Sequence, residues 1–87
     1  MTFEYDQNKS SANLVKHGID FDEAQELWLD VWRLERPVST LTELRFQVIA
    51  KYEEKIWSAF ITYRGKNIRI VSVRHARTEE KEKYDER

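Results

Sequence analysis

Arg64-Gly65-Lys66-Asn67-Ile68-Arg69-Ile70-Val71-Ser72-Val73-Arg74-His75-Ala76-Arg77 is the stretch that decides the fold. Gly65 marks a turn. Ile68, Ile70, Val71 and Val73 then form a β-branched apolar run that suits a strand buried on both faces. The ends are cationic: Arg64, Lys66, Arg69, Arg74 and Arg77 occur here without one acidic residue. A firm strand of this kind holds Arg74 and His75 at its exit, an arrangement suited to handling a phosphate. The same arginines could instead pair with acids on neighbouring strands. On this stretch alone both readings stay open.

Moving towards the N-terminus, Ile56 to Tyr63 is a long apolar strand with Trp57, Ala59, Ile61 and Tyr63 on one side. Glu53-Glu54-Lys55 is a polar turn. Arg45 to Tyr52 alternates, with Phe46, Val48, Ala50 and Tyr52 on one face and Arg45, Gln47, Ile49 and Lys51 on the other. Two hairpins in succession make an antiparallel meander. Trp32 to Val38 reads as a further strand ending near Pro37, whose missing N–H suits an edge. Ser39-Thr40-Leu41-Thr42 reads as a loop.

The first third is helical. Phe3-Glu4-Tyr5 is at most an edge strand. Asp6 can cap a helix over Gln7–His17, and Gly18 can take the left-handed position that ends it. Ala12, Leu14 and Val15 are its expected apolar stripe. Lys16 and His17 sit in the last turn, where positive charge meets the negative end of the helix dipole. His17 is therefore either a capping residue or a catalytic one. A second helix follows, with Asp20 and Glu23 in capping-box positions and Phe21, Ala24, Leu27, Trp28 and Val31 at helical spacing. Its acids, Asp22, Glu23, Glu26 and Asp30, read as a solvated face. Beyond Arg77 the chain is charged and helix-forming. Thr78 can cap this last helix, and Tyr84 is its one large apolar contact after Ala76, so a loosely held C-terminal helix is expected.

The chain of 87 residues suggests a single domain, 1–87. A domain this small buries about 60–65% of its unfolded surface, so its core is modest. There is no cysteine, which removes disulfides and thiolate metal sites. No apolar run approaches the ~20 residues of a membrane span, and the N-terminal residues lack signal-peptide character. A cytoplasmic protein with no membrane association is expected. Net charge is −1, split as −5 over residues 1–43 and +4 over residues 44–87. That asymmetry permits either one positive face on an otherwise acidic protein or complementarity between the halves.

No Gly-rich phosphate loop, zinc-ligand cluster or Ser-His-Asp order occurs. What remains is a cationic group on a sheet flanked by aromatic residues. Guanidinium groups match phosphate oxygens bidentately and stay charged at any working pH. RNA carries its own nucleophile, the 2′-hydroxyl, so a protein need only orient the strand, move a proton and neutralise charge. Tyr and Trp surfaces can stack unpaired bases.

The ordered pattern is more specific than its parts. Phe3-Glu4-Tyr5-Asp6, Lys9, Asn13, Lys16-His17-Gly18-Ile19, Phe21-Asp22-Glu23-Ala24 and Asp30, then Glu43-Leu44-Arg45-Phe46, Tyr63-Arg64, Ile68 to Ala76, and finally Glu79, Lys81 and Tyr84 resemble the BrnT-type toxins. His75 and Val73 stand where that family more often has arginine and alanine. The resemblance implies an α+β fold with two N-terminal helices packed on a mainly antiparallel, RelE-like sheet, and a C-terminal helix. It implies a metal-independent endoribonuclease toxin of a type II toxin–antitoxin system that arrests growth. The implied partner is a BrnA-like antitoxin in a 2:2 complex that reaches operator DNA through the antitoxin. Arg64 and Arg74 are the expected phosphate-binding catalytic residues. His17 is the first proton-transfer candidate and His75 the second. Lys16, Arg45, Arg69 and Arg77 are expected to position the RNA, and no cofactor or metal is implied. The rival reading is a non-catalytic module whose basic face binds an antitoxin-like partner.

Overall fold

The computed structural model describes residues 2–38 and 42–86. The expected loop at Ser39–Leu41 lies outside them. In chain order the elements are β1 (Thr2–Glu4), α1 (Gln7–His17), a 3₁₀ helix (Glu23–Leu29), β2 (Leu34–Val38), β3 (Arg45–Tyr52), β4 (Lys55–Arg64), β5 (Asn67–His75) and α2 (Thr78–Asp85). The five strands form one sheet in the order β1-β5-β4-β3-β2. Strands β2 to β5 pair antiparallel, and β1 pairs parallel to β5. Among the described residues no helix is long and apolar enough to cross a membrane.

The α+β class and the antiparallel meander are as expected, but the helical part differs. The chain opens on a strand, and the second N-terminal helix is a short 3₁₀ segment. Phe21, Ala24, Leu27 and Trp28 are buried as their spacing requires, while Val31 is 81% exposed. Asp20 still caps the segment, its Oδ1 accepting from the Glu23 N–H at 2.7 Å. Asp6 caps α1 through the amides of Asn8 and Lys9, and Gly18 closes it at φ 84°. Trp32 falls outside β2, and Pro37 lies on that edge strand.

One face of the sheet carries the apolar core. Val48, Ala50, Trp57, Ala59, Ile61, Ile68, Ile70 and Val73 meet Ile19, Phe21, Leu27 and Trp28 there. Phe3 adds an edge-to-face contact on Trp28, with ring centroids 4.9 Å apart. Side-chain direction along β5 is not a simple alternation. Phe60 pairs with Ser72, but Ile61 pairs with Ile70, leaving Val71 as an extra residue. This bulge puts Val73 and His75 on the same face as Ile68 and Ile70, and puts Ser72 and Arg74 on the other.

The opposite face is held by polar contacts. Arg36 on β2 forks onto Glu79 at 3.1 and 3.2 Å and donates to Gln47 on β3 at 2.8 Å. Gln47 and Ser58 donate to Glu80 at 2.7 and 2.8 Å. Tyr84 donates to Asp30. The C-terminal helix is therefore tied to the strands, not loosely held. Its side chains meet this face through charge-assisted hydrogen bonds, which apolar counting does not register.

The β3–β4 hairpin turns through Glu53 and Glu54, with φ of 50° and 66°. Two-residue hairpin loops demand left-handed backbone, which β-carbons disfavour. Glu54→Gly is expected to stabilise the protein by about 1 kcal/mol, read as a higher urea midpoint with unchanged slope.

Candidate active site

The inward face of α1 is polar. Ala12, Leu14 and Val15 point outward, Val15 being 89% exposed, while Ser10 and Asn13 are buried. The expected apolar stripe is thus on the solvent side, because the inward positions meet backbone groups that need partners. Ser10 Oγ accepts from the Phe21 N–H at 2.9 Å. Asn13 Nδ2 donates to the carbonyls of Ile19 and Val73 at 2.8 and 2.9 Å, and its Oδ1 accepts from the Val73 N–H at 3.2 Å.

That clasp sets the level of two histidines. His17 is one turn beyond Asn13, about 6 Å along the helix. His75 is two residues beyond Val73, about 6.6 Å along the strand. Both line one cavity of about 210 Å³ with Glu23, Tyr52, Lys55 and Trp57. The volume is below the roughly 300 Å³ of pockets that enclose drug-sized ligands, and Gly18 and Glu53 complete its lining. His75 stacks on the buried Trp57 ring at 4.1 Å and 22°. It also borders a second cavity of about 240 Å³ with Lys55 and Lys81. Lys55 and His75 therefore stand between two hollows.

Protonation in the cleft is polarised. Burial lowers the His17 pKa below its ordinary 6.5, and the positive groups Lys16, His75 and Arg74 lower it further. The hydrogen bond from Tyr52 to Glu23, 2.9 Å long, pushes the phenol up to about 12, with burial adding to it. His17 is thus neutral near pH 7, and Tyr52 stays protonated.

The structure does not bring Arg64 and Arg74 together. Arg64 pairs across the sheet with Asn67, and Arg74 lies seven residues further along β5, roughly 20 Å away. The Arg74 guanidinium forks onto Glu80 at 2.8 and 2.9 Å, sits 5.1 Å over the Phe60 ring and donates to the His75 carbonyl at 3.1 Å. Glu80 is 5% exposed. Burial pushes its carboxyl up, but hydrogen bonds from Arg74, the Arg77 amide, Ser58 and Gln47 outweigh this and hold it well below the usual carboxylate range. Lys16 is exposed beside His17. Arg77 is exposed at the start of α2, and its N–H reaches Glu80 at 2.8 Å. Arg45 and Arg69 lie with Arg64 in a separate cavity at the other end of β5. Sequence reasoning gave no role to Lys55, Trp57 or Glu80. Asn13 had a detectable signal, being one helical turn before His17.

These features describe a small domain with a cleft that gathers two histidines, a tyrosine, two glutamates and a lysine. Residues 5–80 match the sequence model of the ribonuclease toxins of type II toxin–antitoxin systems. The chain belongs to that BrnT family of toxins. A comparison with curated proteins returned no match. Membership makes an antitoxin the natural partner of this chain.

Removing the charge of Glu80 tests the support beneath Arg74. Glu80→Gln is expected to destabilise the protein by about 2–3 kcal/mol at pH 7, since a half-buried guanidinium loses its counter-charge. The Glu80 pKa is lowered on folding. Its contribution is therefore complete above the unfolded value near 4.5 and is lost as pH falls towards the folded one. The gap between wild type and variant should narrow below that pH in urea titrations.

Proposed function

We propose that this toxin is a metal-independent endoribonuclease that cuts RNA in the His17–His75 cleft, arrests growth and is neutralised by a BrnA-like antitoxin. The observation that carries the proposal is two imidazoles lining one small cavity, one of them tuned to be neutral. Neutral His17 takes the 2′-hydroxyl proton. The 2′-oxygen attacks the adjacent phosphorus, the bond from phosphorus to the 5′-oxygen breaks, and protonated His75 gives its proton to that leaving oxygen. The products are a 2′,3′-cyclic phosphate and a 5′-hydroxyl. Lys55 holds the phosphate as negative charge builds on it. Trp57 keeps the His75 ring oriented, and Arg74 is a positioning residue acting through the His75 backbone. A 2:2 complex that meets operator DNA through the antitoxin is part of the same proposal, and the family match is its support.

The rival reading, a non-catalytic module that binds its partner through a basic face, has its own support. Arg45, Arg64, Arg69 and Arg74 each sit near a carboxylate.

Purified protein with RNA and a chelator separates the two. Cleavage to cyclic-phosphate ends is expected, with His17→Ala and His75→Ala each at least 100-fold slower. Activity should rise with pH through a midpoint below 6.5, because His17 must lose its proton to act as base. Lys16→Gln should move that midpoint upward by removing a nearby positive charge. Intact RNA in all samples, with partner binding retained, would leave only the module.

A further inference from the structure

The cationic cavity at the far end of β5 has no part in the chemistry above. It measures about 390 Å³ and gathers Lys9, Arg45, Arg64 and Arg69. Its carboxylates are fewer. One oxygen of Glu4 is shared between Arg64 at 3.5 Å and Arg69 at 3.6 Å. Glu43 meets Arg45 at 3.0 Å. Among the described residues Lys9 makes no ion pair. The long contacts of Glu4 bridge two guanidinium groups, and such exposed pairs are weak enough for a phosphate to displace or join. Thr62 lies on the cavity wall, its hydroxyl donating to the Leu44 carbonyl at 3.3 Å.

Helix α1 borders both hollows, Lys9 lining the cationic cavity and His17 the histidine cleft. Lys9 and Lys16 are seven residues apart on α1, which puts them on one stripe of the helix about 10.5 Å apart. Both are exposed. Lys9 borders the cationic cavity, and the charge of Lys16 reaches His17. One lysine of α1 thus lines the cationic cavity, and a second, on the same stripe, stands next to His17.

We infer that this cavity is a phosphate-binding subsite for the RNA strand, remote from the cut, with Lys9 and Lys16 carrying the backbone between the two sites. It rests on the reading that RNA is the substrate of the histidine cleft. A remote subsite of this kind favours long single strands over short ones, because only a long strand spans both ends of β5.

The test uses the full chain and 2′-O-methyl oligonucleotides, which lack the nucleophile and so report binding whether or not the cleft is catalytic. Fluorescence anisotropy gives Kd for a decanucleotide and a trinucleotide. The Lys9→Glu/Arg64→Glu double variant should weaken the decanucleotide at least tenfold and the trinucleotide less than twofold. The slope of log Kd against log salt for the decanucleotide should fall by about 0.7 per lost phosphate contact. Lys9→Gln/Arg64→Gln should move in the same direction by a smaller factor, and an unchanged thermal midpoint for either pair shows that folding is intact. Equal weakening of both oligonucleotides, or none, overturns the subsite. So does loss of antitoxin binding with decanucleotide binding retained, which would make the cavity a protein contact. If wild type binds with the expected length dependence yet leaves unmodified RNA whole, the nuclease reading fails and the subsite stands.

Discussion

A single unpaired residue, Val71, sets the geometry of the rest. Side chains on a strand alternate, so one extra residue reverses every position beyond it. Ile68 and Ile70 face the apolar core before the bulge, and Val73 and His75 face it afterwards. Without the bulge His75 would share the side of Arg69, and Arg74 would point into the core. With it, neighbouring residues at the strand exit serve opposite layers. The imidazole meets α1 and the guanidinium meets α2.

The two layers are held by different physics. On the core side, the Asn13 clasp and the Ser10 hydroxyl fix α1. On the other, Glu80 accepts five hydrogen bonds from four residues. A buried ion pair is a poor source of net stability, because desolvation offsets most of the Coulomb gain. Its value here is orientation. A bidentate fork fixes the guanidinium plane, and the same Arg74 Nη1 donates to the His75 carbonyl. The carboxylate on α2 thereby steadies the backbone that presents the imidazole on the far side of the sheet.

How far the sequence disclosed this depends on whether the signal was local. Strand β3 was legible to its ends from alternation at Arg45 to Tyr52, and the caps at Asp6 and Gly18 from residue type alone. The second helix proved to be 3₁₀ and not α, since Phe21, Ala24 and Leu27 recur every third residue, a spacing that shares one face in either coil. Val31 went with that error. Leu14 and Val15 misled because hydropathy ranks side chains and ignores backbone groups that need partners, which Ser10 and Asn13 satisfy. Glu80 was invisible, since Ser58 and Gln47 stand 22 and 33 residues away. Arg64 and Arg74 looked like neighbours on one basic stretch, yet the length of β5 parts them. His17 and His75, far apart in sequence, line one cavity.

The protonation of His17 separates its two possible roles. A histidine in the last turn of a helix faces the negative end of the dipole, which favours the imidazolium by roughly 0.3–1 kcal/mol at exposed sites. A residue present only to cap α1 would therefore be shifted upward. Instead burial, Lys16, His75 and Arg74 shift it downward, so the surroundings oppose the charge that a cap would use. Two imidazoles sharing a small cavity also disfavour double protonation, since each charge repels the other. His17 is the ring whose surroundings favour the neutral form. A neutral imidazole can accept a proton, which is the part given to His17 in the proposed reaction.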